Sequence, residues 1–311
     1  MATWKILNID FMRWRRAGLI LSTIINLAAI GSLATQGLNL GVEFTGGTVI
    51  ELAFKEAPSL DEVRGTLKTS DFGAGVVQNF GGPQNVLVRL PPTEAVGGAE
   101  AASKDIGNRM EKLFPDTEVR RVEFVGPQVG EELTEEGLIA ALIAMGGILI
   151  YVMLRFTFKF AVGSITATVH DVLVILGLFS ITRMEFDLNA LAAVLAIMGY
   201  SLNDTIVILD RIRENFRNMR KAEPIDVVNA SLNQTLSRTI NTSLVTLLAV
   251  LALLFFGGEM IRSFSIALTI GIVVGVYSSI YVAGAMVLAL GATRQELLPV
   301  QKEGAEIDNR P

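Results

Sequence analysis

Long apolar runs alternate with short polar connections along most of the chain, and one long polar stretch after the first run breaks that rhythm. The runs cover about 17–36, 138–154, 160–182, 188–209, 240–256 and 264–290. Each approaches or exceeds the roughly 20 residues that a helix needs to cross a bilayer. The pattern therefore predicts six transmembrane helices. A segment 1–16 precedes them, a charged amphipathic stretch 210–239 separates the fourth from the fifth, and a tail 291–311 follows the last.

Within 37–137 the apolar period changes from segment to segment. TVIELAF (48–54) has strand composition with some alternation, and SLDEVRGTLKT (59–69) pairs a Ser cap with apolar residues at helical spacing. GVVQNF (75–80) and NVLVRL (85–90) are strands joined by GGPQ, a hairpin-grade turn. AEAASKDIGNRMEKLF (99–114) is helical, with Ile106, Met110, Leu113 and Phe114 on one side, and TEVRRVEFVG (117–126) closes as a strand. The order β-α-β-β-α-β is the ferredoxin-like, split βαβ arrangement. The expected fold is an α-helical membrane protein with six transmembrane helices, plus an α+β ferredoxin-like domain between helices 1 and 2. PPTEAVGGAE (91–100) has loop composition. In GVEFTGG (41–47) no Lys-Ser/Thr follows the glycines and no helix is expected to open there. The motif is thus a backbone bend between span and sheet, not a phosphate cradle.

Charge orients this arrangement. Lys5, Arg13, Arg15 and Arg16 precede the first span; Arg155 and Lys159 follow the second; Arg211, Arg213, Arg217, Arg220, Lys221 and Arg238 lie between the fourth and fifth. The remaining short connections offer only Arg183 and Arg262. By the positive-inside rule both termini are cytoplasmic and the domain is external, which in a Gram-negative cell means periplasmic. A mean hydropathy of +0.50 agrees with an integral membrane protein. The first run lacks a cleavage site and is expected to stay as an anchor. Absence of cysteine excludes disulfides and thiolate metal sites, and one histidine argues against a histidine-built metal centre. The basic residues of 210–239 suit lipid headgroups; without an aromatic stacking set, nucleic-acid contact is not expected.

Candidate chemistry lies inside the spans. The fourth holds Tyr200, Ser201, Asn203, Asp204 and Thr205. A carboxylate at mid-membrane costs at least about 2.5–3.5 kcal/mol on insertion scales. Asn in place of Asp204 supplies the same hydrogen bonds without that risk. Burial and a neighbouring Arg act on a carboxylate in opposite senses, so a group held between them can load and release a proton. Tyr200 and Ser201 share a helix face with Asp204. The third span carries His170 and Asp171 near its centre, as a supporting pair or a structural one. Arg238, Asn241 and Thr242 stand at the entry to the fifth span. If that helix starts a turn early, Arg238 reaches the depth of Asp204 and the two can pair. Pro224 is expected to start a separate short helix. Ala267, Gly271, Gly275 and Ser279 form a small-residue stripe that admits another helix, in this chain or a partner.

Five stretches together resemble the SecF family: GVEFTGGTVIEL (41–52), VGPQVGEEL (125–133), HDVLVILGLFS (170–180), GYSLNDTIVILDRIREN (199–215) and NQTLSRTINTSLVTLL (233–248). Glu43 departs from the Asp more usual in that family's motif and preserves its charge. The resemblance implies half of a resistance-nodulation-division transporter, completed by SecD, in the bacterial inner membrane. It implies assistance to late preprotein translocation through SecYEG, with YajC as a further partner and unfolded preprotein as the substrate. Protons are the coupling ion, with no other cofactor. Asp204 matches the family's proton carrier, Arg238 its partner, and Asn203 adjoins the carrier. Such a subunit is not an enzyme. A proton-driven small-molecule or lipid exporter of the same superfamily is the alternative; exporters usually carry both halves and larger external domains in one chain. An intramembrane aspartyl protease needs two facing carboxylates, for which Asp171 and Asp204 offer themselves, but its Gly-x-Gly-Asp motif is missing. A purely structural assembly factor predicts that neutralising Asp204 leaves export intact.

Overall fold

A computed structural model describes residues 9–70, 72, 75–92, 99–115 and 117–292. Lys5, the middle of the expected loop (93–98) and most of the expected tail (293–311) lie outside the described residues. Six helices are long and apolar enough to cross a membrane, in the order the apolar runs predict.

The first span is α1 (Arg15–Gln36), entered through a 3-10 turn at Phe11–Trp14 that Asp10 caps by accepting the Arg13 N–H. It ends at Gly37 in a positive-φ conformation. Two short elements follow, β1 (Asn39–Leu40) and α2 (Val42–Thr45). A single helical turn thus opens inside GVEFTGG, where none is expected from the sequence. Gly46 and Gly47 then adopt φ of 68° and 129°, and a Cβ on Gly47 would lie 2.6 Å from the Leu90 carbonyl oxygen. The backbone bend therefore requires glycine on both conformational and steric grounds.

The polar stretch forms β2 (Gly47–Phe54), α3 (Leu60–Thr69), β3 (Val76–Asn79), β4 (Asn85–Leu90), α4 (Ala99–Leu113) and β5 (Thr117–Val125). The strands make one antiparallel sheet in the order β3-β4-β2-β5. Ile50 pairs with Val88 and Leu52 with Val86. These four residues face α3 and α4 in a single core with Val63, Leu67, Val77, Ile106 and Met110. Alternate strand residues, including Val49, Leu87 and Arg89, face away from the helices, as the two-residue period of a strand requires. Ser59 occupies the cap position of α3 but makes no side-chain capping bond.

The second span is α5 (Pro127–Arg155), which begins well before residue 138 with Pro in its first turn, a position that costs no helix hydrogen bond. After it come α6 (Phe158–Thr182), β6 (Glu185–Phe186), α7 (Leu188–Asn218) and α8 (Pro224–Phe256). Pro224 does start a helix, but that helix runs unbroken into the fifth span. The stretch 210–239 is therefore two span helices prolonged beyond the apolar run and joined by a tight turn. Polar side chains prolong a helix once they leave the hydrocarbon, so hydropathy marks the membrane and not the helix end. The last span consists of α9 (Arg262–Ser278), a π-helical turn at Ser279–Ala283 and α10 (Gly284–Ala289).

Candidate functional site in the span bundle

Asp204 lies on α7 with 5% exposure, and its Oδ2 accepts a hydrogen bond from Ser243 Oγ of α8 at 3.2 Å. Arg238 is exposed on α8. No ion pair joins it to Asp204 among the described residues. The expected Asp204–Arg238 bond is thus not made in this structure. Because α8 starts at Pro224, Arg238 sits inside a continuous helix whose rotation turns it outward. Ser243, about 7–8 Å farther along that helix, turns inward instead. Asn241 and Thr242 are exposed beside Arg238, and Thr242 Oγ1 donates back to the carbonyl of Arg238 at 3.0 Å. Asn203 is exposed as well. This chain therefore leaves Arg238, Asn241 and Thr242 on one uncovered polar face of α8.

A second buried cluster centres on Asp171, which is 1% exposed. Its Oδ2 accepts from Ser201 Oγ of α7 at 2.5 Å and from Ser278 Oγ of α9 at 2.8 Å. Its Oδ1 lies 2.9 Å from His170 Nδ1, so the consecutive residues do bond to one another. His170 Nε2 is buried with no hydrogen-bond partner among the described residues. Ser201 and Asp204, expected on one face, serve different neighbours. Three residues along a helix leave an offset of about 60°, which at the centre of a bundle is the difference between facing α6 and α9 and facing α8. Tyr200 points its hydroxyl into a buried position without a hydrogen-bond partner among the described residues. Asp171 and Asp204 do not converge on a common partner.

The small-residue stripe of the last span packs within the chain. A Cβ on Gly271 would lie 2.5 Å from Ile197, and one on Gly275 3.2 Å from Ser201. That close approach brings Ser278 to Asp171, and Ser279 to Thr205 at 2.8 Å. Ser278 escapes a reading of the sequence; its only signal is a Ser-Ser pair inside an apolar run.

Both clusters fall in a region, residues 105–293, that matches the model of the C-terminal part of SecD/SecF protein export membrane proteins. Residues 31–58, which include α2 and its glycines, match the SecD/SecF GG motif. A protein translocase subunit SecF of Vibrio alginolyticus is 48% identical over 306 residues, 98% of this chain and 97% of the relative. The chain belongs to the SecF family. A second SecF, from Pseudomonas aeruginosa, is 47% identical and aligned over 99% of both chains. The crystal structure of SecDF from Thermus thermophilus superposes with a TM-score of 0.83 at 38% identity, over 93% of this chain. A SecDF in a super-membrane-facing form gives 0.65 at 40% identity, over 91% of this chain. The chain spans 39% and 38% of those two SecDF chains. Nearly full-length SecF relatives favour the translocase reading over the exporter alternative, and the chain is a multi-pass membrane protein.

Proposed function

We propose that this chain is the SecF-type half of a membrane machine that assists late preprotein translocation, drawing on the proton-motive force through Asp204. The observation that carries the reading is a buried span carboxylate with two alternative partners on one neighbouring helix. Ser243 is bonded to it, and Arg238 stands on the same helix without a bond to it. Protonated, Asp204 keeps the Ser243 bond. Ionised, it is drawn toward Arg238, nearer the other end of α8, and the α7–α8 contact repacks. One charge moved through 100 mV supplies about 2.3 kcal/mol, enough to bias a two-state element roughly fiftyfold.

The uncovered polar face of α8 supports a partner. Arg, Asn and Thr facing lipid are costly, and a SecD-type half that covers them removes the cost. In this reading the protein sits in the bacterial inner membrane with both termini cytoplasmic. The sheet domain, with its β-α-β-β-α-β order, is a ferredoxin-like periplasmic domain. SecYEG and YajC are further partners, unfolded preprotein is the substrate, and the role is not enzymatic.

The test uses the chain assembled with its SecD-type partner beside a translocon in sealed vesicles. Asp204→Asn is expected to abolish stimulation of export by a proton gradient while assembly persists, and Arg238→Ala to do the same. Undiminished stimulation in the Asp204→Asn complex refutes the carrier role.

A further inference from the structure

The helix-free face of the external sheet is turned toward the span connections. Between it and the outer ends of the spans lies a cavity of about 360 Å³ whose walls carry charge from both sides. The membrane side is held together locally. β1 and β6 pair in parallel, Asn39 with Glu185 and Leu40 with Phe186, which stitches the exit of α1 to the α6–α7 connection. Beside the cavity, Arg89 of β4 forms an ion pair with Glu185 of β6, with side chains 11% and 26% exposed. This bond ties the sheet domain to the span connections.

Glu43 of α2 adjoins the same pair. A Cβ at Gly41 would collide with Glu43 Oε2 and lie 3.3 Å from Glu185 Oε1, so both carboxylates close around that glycine. Glu43 Oε2 is buried with no hydrogen-bond partner among the described residues. The other charged walls are largely committed elsewhere. Arg121 and Glu123 of β5 bond to each other, as do Glu259 and Arg262 between α8 and α9. Arg183 donates to the carbonyls of Gln36 and Gly37, both at 3.0 Å. Asp187 caps α7 by accepting the Ala190 N–H and also accepts from Ser263. Arg89 is left to balance Glu43 and Glu185 together, and Asp187 and Glu123 add negative charge nearby.

We propose that Glu43, Glu185 and Arg89 form a proton-stabilised latch that fastens the external domain to the outer ends of the spans and loosens when both carboxylates ionise. With one proton aboard, the trio is charge-balanced in a half-buried place. With none, surplus negative charge acts across the domain boundary. Burial pushes Glu43 above the ordinary carboxylate range, its own backbone hydrogen bond opposes the rise, and Asp187 and Glu123 reinforce it. Burial also raises Glu185, Arg89 opposes, and Glu43 and Asp187 add to the rise. Groups that bind protons more tightly in the docked form favour docking at low pH, and that contribution is lost as pH rises through the raised values. An acidic outer side fastens the domain; an alkaline one frees it.

The chain contains no cysteine, so Lys68→Cys on the exposed side of α3 and Phe256→Cys, 89% exposed at the outer end of α8, accept spin labels selectively. Distances between them are measured by pulsed electron resonance on the full chain, assembled with a cysteine-free SecD-type partner in lipid nanodiscs. One narrow distribution is expected on the acidic side of neutral pH and an added longer one on the alkaline side, the direction a raised carboxyl sets. Glu43→Gln, permanently neutral, is expected to stay narrow at both. Arg89→Gln is expected to enlarge the long-distance fraction at the higher pH. Asp204→Asn is expected to keep the full response, so this proposal and the proton-carrier reading fail separately. Identical wild-type distributions at the two pH values, or a Glu43→Gln chain that responds like wild type, overturn the latch.

Discussion

The sheet domain and the span bundle of one chain are built inside out relative to each other. In the domain, Ile50, Leu52, Leu67, Val86, Val88 and Met110 are buried, and charge is carried on the outside. In the bundle, Leu154 and Phe256 are 84% and 89% exposed, while Asp171, Ser201, Asp204, Ser278 and Ser279 are buried. The domain is driven together by expulsion of water from apolar surface. Lipid tails are as apolar as leucine, so helices in a bilayer associate through small-residue packing and interhelical hydrogen bonds. The same residue type therefore has opposite structural value in the two halves, and polar clusters become the specific features of the bundle.

That contrast can be tested at single positions. The largest effect is expected from Gly177→Val, because a Cβ there collides with Ala29 of α1 and no flexible side chain is available to yield. Loss of the α1–α6 contact should leave little protease-resistant protein in membranes; wild-type yield would deny that close backbone approach holds these spans. Next is Leu67→Ala in the domain core, expected to cost about 2–5 kcal/mol of local stability by amide hydrogen exchange. Its counterpart Leu154→Ala on the exposed face of α5 is expected within about 0.5 kcal/mol of wild type. Equal costs would erase the distinction between the two regions. Smallest is Ser278→Ala, which removes one of the two hydroxyl donors to Asp171 Oδ2. Interhelical bonds of this kind are worth about 0.6–1.7 kcal/mol, read from reversible unfolding in bicelles. A markedly larger loss would mean that the network holds a charge that cannot stand with one donor fewer.

The elements of the sheet domain were legible almost residue by residue. NVLVRL is β4 at the expected limits, and α3 and β5 end within a residue of the expected ones. Strand alternation and helical spacing are properties of neighbouring residues, so composition reveals them directly. The spans were legible in number and order, but not in where α5, α7 and α8 begin or end. β1, α2 and β6 left no usable trace, because two to four residues are too few for a period to register. Among the candidate site residues, the burial of Asp204 and the His170–Asp171 bond were within reach of the sequence. The Ser243 bond and the Ser278 contribution were not.

By itself the sequence determined how many helices are long and apolar enough to cross a membrane, which stretch forms the sheet domain and which ionisable groups lie within the apolar runs. Each of these follows from local composition and the period of the side chains. Tertiary structure alone decided which polar groups meet. Asp204 takes Ser243 instead of Arg238, Asp171 gathers hydroxyls from two other spans, and Arg89 reaches Glu185 across a domain boundary. Those pairings depend on how each helix is rotated about its axis and how closely glycines let it approach its neighbours. Both are set by contacts between residues far apart in the chain.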